Sequence, residues 1–265
     1  MKEPVPLLPA LAVLAGLAAM VPAAPAQSER CQLPPQHAGV TFPVDQVGRS
    51  WACRLQPLLS DYTTANKVGP IRTKLPESLY RYLLDRPPLA AALINRLDLG
   101  LYLAERRGPG RYWGHDGEGT SGIVELVYHD DTSRIYYLEG SHDSRMLPQV
   151  TGKAVVFVRM TPVKEADGTE SMDTLLVAYT RLDNRVLSGL VSLLRPLIGG
   201  TVRGKLIKGI ETVNRLGDVM RKQPDRVLFE AADPPAFADA DVAFLKRALE
   251  EMHVPAVQSR TRPRP

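Results

Sequence analysis

Three histidines of this chain are each followed directly by an acidic residue, and this is the combination of side chains in it that is best suited to chemistry. The pairs are His115-Asp116, His129-Asp130 and His142-Asp143. An imidazole beside a carboxylate can act as a general base with its orienting group, or supply two ligands to a metal ion. Both roles require the pairs to converge in the folded chain. Each pair instead lies where a strand is predicted to end, and turn composition by itself explains an aspartate there.

The sequence contains no catalytic or cofactor-binding motif. A nucleophile elbow, a phosphate-binding loop, a His-Glu-x-x-His helix and a dinucleotide fingerprint are all missing. The glycine-rich run at residues 117–122 lacks the lysine of a nucleotide loop and lies between two β-patterned segments, which favours a hairpin. We therefore predict no catalytic residue, no metal ligand and no cofactor. Whether the protein is an enzyme stays open, and a role without catalysis is the preferred interpretation.

Two charged residues interrupt apolar strand segments and are candidates for polar anchors of a ligand. Glu139 follows the apolar residues 135–138, and Arg159 lies in a segment that contains Phe157 and Met160. Inside a cavity each side chain would orient a polar group of the ligand. On the outer face of a sheet each would only be solvated. The alternation along a strand does not decide between these two faces.

Six β-patterned segments between residues 99 and 182 must position these side chains. Gly-rich and Asp-rich turns separate them at intervals of about eight to twelve residues, which favours an antiparallel meander over a parallel sheet. A further strand is predicted at residues 61–73. It is followed by two short helices, of which the first begins near Pro76 and the second covers residues 89–97.

A long amphipathic helix is predicted over residues 186–222. Its apolar residues form a narrow stripe, which consists of Val202, Leu206, Ile210, Val213 and Met220. Glycines interrupt the helix, although each costs roughly 1 kcal/mol relative to alanine. A helix that keeps such glycines usually lies close to another backbone, and we expect that backbone to be a curved sheet.

This order of elements resembles the START-like superfamily, also called SRPBCC or helix-grip, over roughly residues 61–222. One local similarity is residues 75–87, which begin Leu75-Pro76-Glu77-Ser78 and are similar to the first strand of the family running into its small helix pair. The other is residues 193–198, which continue into the apolar stripe and are similar to its closing helix. The resemblance implies an α+β fold in which a curved antiparallel sheet of about six to seven strands wraps a long C-terminal helix, with two short helices after the first strand. It also implies a cavity for sterols, phospholipids, fatty acids or polyketides.

One choice of strand parity gives an apolar lining for that cavity. The residues in question are Val124, Leu126, Tyr128, Tyr137, Val156, Val158, Val177 and Tyr179 of the strands, facing Leu206, Ile210 and Val213 of the helix. Tyrosines suit such a site because each combines apolar area with one hydroxyl group. The alternative interpretation is that these residues fill an ordinary core that leaves no room for a ligand.

The two ends of the chain indicate export. Residues 1–26 contain an apolar stretch and end in Ala24-Pro25-Ala26, which is typical of a cleaved signal peptide, although an uncleaved anchor remains possible. We therefore expect a periplasmic or secreted protein in which Cys31 and Cys53 form a disulfide. The predicted organisation is an irregular extension (27–60), the ligand-binding domain (61–225), a linker with a C-terminal amphipathic helix (226–253) and a basic disordered tail (254–265).

The net charge of +4 restricts the partners that we expect. Nucleic acid is an improbable partner for an exported chain without interleaved aromatic and basic residues. The basic residues of the long helix are expected to form a solvated polar face, and the alternative is peripheral contact with an anionic membrane. We expect the protein to be a monomer. The leading hypothesis is an exported protein that holds or shuttles a hydrophobic ligand, most plausibly a lipid. The alternatives are a cyclase, dehydrase or hydrolase that uses the same cavity, and a structural envelope protein that binds a partner through its C-terminal helix.

Overall fold

The computed structural model describes residues 31–143, 149–183 and 191–253, with the side chains of the long helix described from residue 198 onward. The predicted signal peptide and the predicted basic tail lie outside these residues. The strands are β1 (Gln36–His37), β2 (Val40–Thr41), β3 (Thr64–Thr73), β4 (Leu103–Gly108), β5 (Arg111–His115), β6 (Thr120–His129), β7 (Ser133–His142), β8 (Val150–Lys164) and β9 (Glu170–Leu182). The α-helices are α1 (Arg49–Ser60), α2 (Glu77–Asp85), α3 (Pro87–Arg96), α4 (Val191–Lys222), α5 (Pro224–Ala232) and α6 (Asp239–His253).

Seven strands form one antiparallel sheet in the order β3-β9-β8-β7-β6-β5-β4. Strands β4 to β9 follow one another both in the chain and in the sheet, and β3 pairs with β9 at the far edge. The predicted α+β class and the predicted antiparallel meander are therefore confirmed. The predicted pair of short helices is present as α2 and α3. Pro87-Pro88 begins α3, and proline is tolerated there because the first amide groups of a helix have no hydrogen-bond acceptor within the helix.

The segment before the sheet is not irregular, which corrects the prediction for residues 27–60. It contains the β1–β2 hairpin, a 3-10 turn at Val44–Gln46 and the twelve-residue helix α1. The pair of short helices accordingly follows the third strand of the chain. Proline, glutamine and glycine dominate the composition of this segment and hid a helical period in which Ala52, Leu55 and Leu58 recur every third residue. All three are buried.

Both faces of the sheet are covered, because alternate residues of its central strands enter two different cores. In the helix-side core, the five helices from α2 to α6 pack against strand residues such as Val158, Met160 and Met172. The outer core joins the N-terminal segment to residues such as Ile135, Val155 and Phe157. We call the two surfaces of the sheet the helix-side face and the outer face.

A disulfide between Cys31 and Cys53 ties the start of the described chain to α1. The two cysteines are 22 residues apart in sequence. Closing a loop of that length in the unfolded chain corresponds to about 3 kcal/mol of stability in the chain-entropy treatment. The cross-link therefore adds to the stability of the N-terminal segment. Without it, only the small apolar core would hold this segment on the outer face.

Four glycines lie side by side on four neighbouring strands and form what we call the glycine row. The register pairs Gly114 with Gly122, Gly122 with Gly140, and Gly140 with Gly152. Gly140 lies four residues beyond Tyr136, which packs in the helix-side core, so the row has no side chains on that face. A Cβ atom on Gly122 would lie 2.6 Å from the Cα atom of Gly140. The strands therefore approach closely on the helix side, and a row without side chains lets the sheet bend in that direction.

Replacement of Gly140 by alanine is expected to destabilise the protein by about 1–3 kcal/mol, because the added methyl group overlaps the backbone of Ser121 and Gly122. Chemical denaturation measures the change. Gly108→Ala is the matched control, since Gly108 also lies in a strand and nothing lies within 4 Å of a Cβ atom there, and its effect should stay within about 0.5 kcal/mol. Equal stabilities of the two variants would contradict a close approach at the glycine row.

His37 makes the attachment of the β1–β2 hairpin depend on pH. Its ring is buried and stacks on Phe157 with 4.0 Å between ring centroids. Desolvation lowers the pKa of His37 from 6.5 to about 4. The unfolded chain therefore binds a proton that the folded chain does not bind between these two values, and the stability contributed by neutral His37 is present above pH 6.5 and lost as the pH falls towards 4.

His37→Phe is expected to remove this part of the pH dependence while it keeps an aromatic ring at the stack. The free energy of unfolding of the wild type should fall between pH 6.5 and pH 4 by up to about 1.4 kcal/mol per pH unit more than that of the variant. His129→Gln, at an exposed position, serves as the control and should keep the wild-type slope. An unchanged slope in His37→Phe would show that the ring is not held neutral.

Candidate functional site

Helix α4 lies along the edge strand β3 over the full length of that strand. A Cβ atom on Gly199 would lie 3.6 Å from the side chain of Thr64, where β3 begins. At the other end of the strand, Thr73 donates a hydrogen bond to Asn214. Beyond β3, Gly217 of α4 lies against Leu75. Helix and strand therefore run in the same direction. Gly217 is the one of these glycines that is tightly approached, because an added Cβ atom would lie 3.0 Å from the side chain of Leu75. Nothing lies within 4 Å of a Cβ atom at Gly204 or Gly209, so the expectation that close contact with another backbone explains the glycines of α4 was wrong there.

The same helix is joined to the β5–β6 turn, which lies five strands away from β3 in the sheet. Lys205 Nζ lies 2.5 Å from Asp116 Oδ2 and 3.6 Å from Glu118 Oε2. Lys208 pairs with Glu118 as well. We call these ion pairs the α4 latch. The turn itself is held by Asp116 Oδ1, which accepts hydrogen bonds from the backbone amides of Glu118 at 2.8 Å and of Thr120 at 2.9 Å.

The charge state of the latch follows from these contacts. Burial raises the pKa of Asp116, but the hydrogen bonds from Lys205, Thr120 and Glu118 outweigh it and bring the pKa down to about 2. The hydrogen bond from Lys208 lowers the pKa of Glu118, and the same bond raises the pKa of Lys208. Asp116, Glu118 and Lys208 are therefore charged near neutral pH, which favours the ion pairs of the latch there.

An apolar surface that is only half-buried lies on the helix-side face near the latch. We call it the apolar patch, and its strand residues are Val124, Leu126, Leu138 and Ala154. On α4, Ile198, Val202 and Leu206 are also only half-buried. Further along the helix, Ile210, Leu216 and Met220 are buried in the helix-side core. The contacts between α4 and the sheet thus become looser from its C-terminal half towards its N-terminal half.

A buried polar cluster ends the apolar patch on the side of α2. Arg134 has a side chain that is only 3% exposed, and its Nη1 atom lies 2.7 Å from Asp85. Its Nε atom is buried without a hydrogen-bond partner in the described part of the chain. Tyr136 follows Arg134 by two residues in β7, which places it nearer to the apolar patch and beside this guanidinium group. Burial raises the pKa of Tyr136, and Arg134 opposes that rise.

The predicted cavity lining is divided between the two faces. Val156, Val158, Leu206, Ile210 and Val213 belong to the helix-side core, and the register places Val124 and Leu126 on the same face. The residues found in the outer core instead are Tyr128, Tyr137, Val177 and Tyr179. For β7 and β9 the sequence prediction placed odd-numbered residues on the helix side, whereas the even-numbered residues, such as Tyr136 and Leu176, lie there. In β6 a bulge between Leu126 and Tyr128 turns Tyr128 to the other face.

The two predicted polar anchors, Glu139 and Arg159, also lie on the outer face. Glu139 accepts a hydrogen bond from the Tyr137 hydroxyl at 2.8 Å and pairs with Arg54 of α1 at 3.6 Å. Arg159 donates to the backbone oxygen of Thr41 and lies over the ring of Phe42, at 5.2 Å from its centroid. Both side chains thus hold the N-terminal segment and do not reach the apolar patch.

An open depression of about 440 Å³ lies beside Arg159, between the β1–β2 hairpin and the sheet. Its other lining residues are Pro35, Thr41, Phe42, Pro43, Asp45, Asp130 and Ser133. Asp130 is already occupied by hydrogen bonds from Tyr128, Thr132 and Ser133. The depression is on the outer face and is separate from the apolar patch.

The histidine–acid pairs do not converge. His115 and His142 lie at the latch end of the sheet, where Thr120 Oγ1 is 3.0 Å from His142 Nδ1 and the Gly117 amide donates to His115 Nδ1 at 3.0 Å. His129 lies at the other end of β6, away from the latch. Among the described residues, no group of three or more His, Cys, Asp or Glu side chains has the arrangement of a metal site.

Two further surfaces proposed from the sequence are engaged within the chain. The basic residues of α4 include Lys205 and Lys208 of the latch, and Arg215 and Arg221 donate to backbone oxygens of Leu99 and Lys74. The apolar side of α6 packs into the helix-side core through Leu245, Ala248 and Leu249. The Tyr82 ring of α2 stacks on Phe244 at a centroid distance of 3.5 Å. Both helices therefore use these side chains to hold the fold together.

The latch and the glycine row are absent from the sequence predictions. Asp116 and Glu118 were interpreted as turn residues, which they are, but a turn signal does not indicate a partner on a helix that lies about 90 residues away in the chain. The four glycines are visible in the sequence as single residues. Only the strand register brings them into one row, and no signal in the sequence determines that register.

Comparison with known proteins gives no family for this chain. No family model matches it, and no curated protein matches it. Among solved structures, it is similar to a conserved protein from Geobacillus kaustophilus, with 12% identity and a TM-score of 0.41 over 58% of this chain and 93% of that chain. It is also similar to an uncharacterized protein from Rhizobium leguminosarum, with 13% identity and a TM-score of 0.32 over 58% of this chain and 97% of that chain. These similarities are too low to support a function.

None of the described helices combines the length and the apolar character that crossing a bilayer requires.

A double-mutant cycle on Asp116→Asn and Lys205→Met is expected to give a coupling energy of about 1–2 kcal/mol in the free energy of unfolding, because both side chains are partly shielded from water. The cycle on Glu105 and Arg107, an exposed pair at 2.6 Å, is the control and should give less than about 0.5 kcal/mol. The Asp116–Lys205 coupling is present above pH 3.8 and should be lost as the pH falls towards 2, where Asp116 becomes protonated. Equal couplings in both cycles would show that the latch is only a surface ion pair.

Proposed function

We propose that this protein is an exported carrier that holds a hydrophobic molecule, most plausibly a lipid, between α4 and the helix-side face of the sheet. In this proposal the fold is the helix-grip arrangement of the START-like superfamily, with the sheet curved around α4. The attachment of α4 both to β3 and to the β5–β6 turn supports that curvature, since these elements belong to different parts of the sheet. The glycine row is the feature that permits it.

The observation that carries the proposal is the half-buried state of the apolar patch. Leu126, Leu138, Val202 and Leu206 lie between the two attachments of α4, yet each keeps contact with solvent. Closely packed interiors do not leave facing apolar side chains exposed in this way. A bound acyl chain or ring system would cover them, and each 100 Å² of apolar ligand surface removed from water would contribute about 2.5 kcal/mol before the cost of association.

The polar cluster beside the patch supports a ligand with one polar end. Arg134 Nε is a buried donor without a partner in the described part of the chain, and such a group costs about 1–3 kcal/mol if it stays unpaired. A hydroxyl or carbonyl oxygen of a ligand would satisfy it, with Tyr136 alongside. The apolar part of the ligand would then extend along the patch towards the latch.

The location outside the cytoplasm rests on two features. A disulfide joins Cys31 and Cys53, and disulfides persist mainly in oxidising compartments. The first 26 residues have the composition of a secretory signal peptide. An enzymatic use of the same space is the less favoured alternative, because His115, His129 and His142 do not meet at the apolar patch.

Leu138→Trp is expected to displace the ligand, because the larger side chain fills the space over the apolar patch. The full chain, expressed with its own first residues and purified without detergent, should carry a lipid that native mass spectrometry detects and solvent extraction recovers. Ligand occupancy should fall by about tenfold or more in Leu138→Trp, as expected when more than about 1.4 kcal/mol of binding energy is lost.

The matched control is Ile123→Trp, because Ile123 is also half-buried but lies on the outer face. This variant should keep the wild-type occupancy. Circular dichroism and denaturation show whether both variants are folded. A wild-type protein without any bound mass, or equal occupancy in the two variants, would refute the proposed carrier function.

A further inference from the structure

Two leucines next to the latch are among the most exposed large apolar side chains of the described chain. Leu101 is 73% exposed and Leu103 is 54% exposed. They flank Tyr102 in the segment between α3 and the start of β4, which we call the leucine loop (residues 98–103). Phe229 of α5 is 68% exposed, but it lies in a different part of the fold. Two such leucines on one short loop form an apolar tip that no described element covers.

The leucine loop is held rigidly, so the exposure of its leucines is built into the fold. The side-chain amide of Asn95 donates to the Tyr102 carbonyl oxygen at 2.6 Å and accepts from the Tyr102 amide at 2.7 Å. Two residues after α3, Asp98 has a φ of 57°, and the amide of Leu99 donates to the oxygen of Ile94 at 2.9 Å. Leu99 and Tyr102 pack in the helix-side core. These anchors leave Leu101 and Leu103 directed outward.

The loop is in contact with the turn that carries the latch acids. A Cβ atom on Gly117 would lie 2.7 Å from the Cβ atom of Leu101. Gly117 lies between Asp116 and Glu118, which hold Lys205 and Lys208 of α4. The exposed leucines are therefore next to the end of α4 where the apolar patch is half-buried. A ligand that enters or leaves the patch at this end would pass close to the leucine loop.

A positive charge that no carboxylate neutralises lies beside the loop. Arg215 donates to the backbone oxygen of Leu99 at 2.8 Å and to Thr212 Oγ1 at 3.2 Å. Within the described residues, no acidic group forms an ion pair with it, whereas the neighbouring Arg226 pairs with Asp98 at 3.3 Å. Aliphatic side chains with an adjacent cation match the interface of an anionic bilayer, where the apolar tip enters the acyl region and the cation stays among the headgroups.

We propose that the leucine loop is a membrane-docking surface, with Leu101 and Leu103 inserting into an anionic bilayer and Arg215 pairing with its headgroups. This inference rests on the proposed carrier function, and of the basic residues of α4 it uses Arg215 alone as a contact with the membrane. Two leucines without hydrogen-bonding groups do not select a particular protein partner. They do suit a fluid apolar phase, and the loop brings that phase next to the apolar patch.

The test is co-sedimentation of the full-length protein with vesicles. The wild type should bind vesicles of phosphatidylcholine and phosphatidylglycerol more tightly than vesicles of phosphatidylcholine alone. The double variant Leu101→Ser, Leu103→Ser should lower the partition coefficient on anionic vesicles by about tenfold or more, because the two leucine side chains that insert into the bilayer are replaced by polar ones. Arg215→Gln, which keeps a donor for Leu99, should reduce the preference for anionic vesicles and leave binding to neutral vesicles unchanged.

Phe229→Ser is the matched control, because it removes an equally exposed apolar side chain elsewhere and should bind vesicles like the wild type. Unchanged binding of the double variant, an equal loss in Phe229→Ser, or no binding of the wild type would overturn the docking surface. The docking surface would also be overturned if sedimentation velocity showed self-association of the wild type that the double variant abolishes. The loop would then join two copies of this chain.

Ligand occupancy, measured on the same double variant by native mass spectrometry, separates the two proposals. If the variant retains its co-purified lipid and loses vesicle binding, both proposals are supported. If the wild type contains no lipid but binds vesicles through the leucines, the carrier function fails and the docking surface stands. If lipid is present and the leucines do not affect vesicle binding, only the docking surface fails.

Discussion

The attachment of one helix to two distant parts of the same sheet is the constraint on which the rest of this structure depends. Helix α4 lies against β3 through Gly199 and Asn214, and it is bound to the β5–β6 turn through Lys205 and Lys208. On the first side the contacts are short, since Gly199 lies against the side chain of Thr64 and Asn214 accepts a hydrogen bond from Thr73. On the second side the distance is bridged by lysine side chains, which are long enough to cross a gap.

The glycine row is the counterpart of this arrangement in the sheet. Side chains on Gly122 and Gly140 would overlap the neighbouring backbone, so larger residues would force these strands apart or flatten the sheet. The β5–β6 turn begins just beyond the row, and it carries the acids that reach α4. The glycine row and the latch acids are therefore neighbours in the sheet. The apolar patch lies directly inside them, which is why its exposure is the observation that supports a ligand.

The outer face has a structural role that the composition of the first residues concealed. Helix α1, the β1–β2 hairpin and the disulfide cover the central strands, and residues first considered as ligand anchors are used for this purpose. Tyr137, Glu139 and Arg159 bind the N-terminal segment, while His37 stacks on Phe157 in the same core. These contacts account for the side chains of the outer core, whereas the apolar patch lies on the helix-side face.

The sequence by itself determined the main elements of residues 61–222 and their order, but it did not reveal α1, the β1–β2 hairpin or α5, which replaces the linker predicted after residue 225. Turn residues at regular intervals predicted the meander, Pro87-Pro88 marked the boundary between α2 and α3, and the stripe from Val202 to Met220 predicted α4. Such signals are local, because each depends on residues within one or two turns of the chain. The tertiary structure decided the rest: which face each strand residue occupies, the alignment of four separate glycines, and the pairing of Asp116 with Lys205. Strand parity changes with a shift of a single residue, as the bulge before Tyr128 shows, and a contact across about 90 residues leaves no periodicity that the sequence alone would reveal.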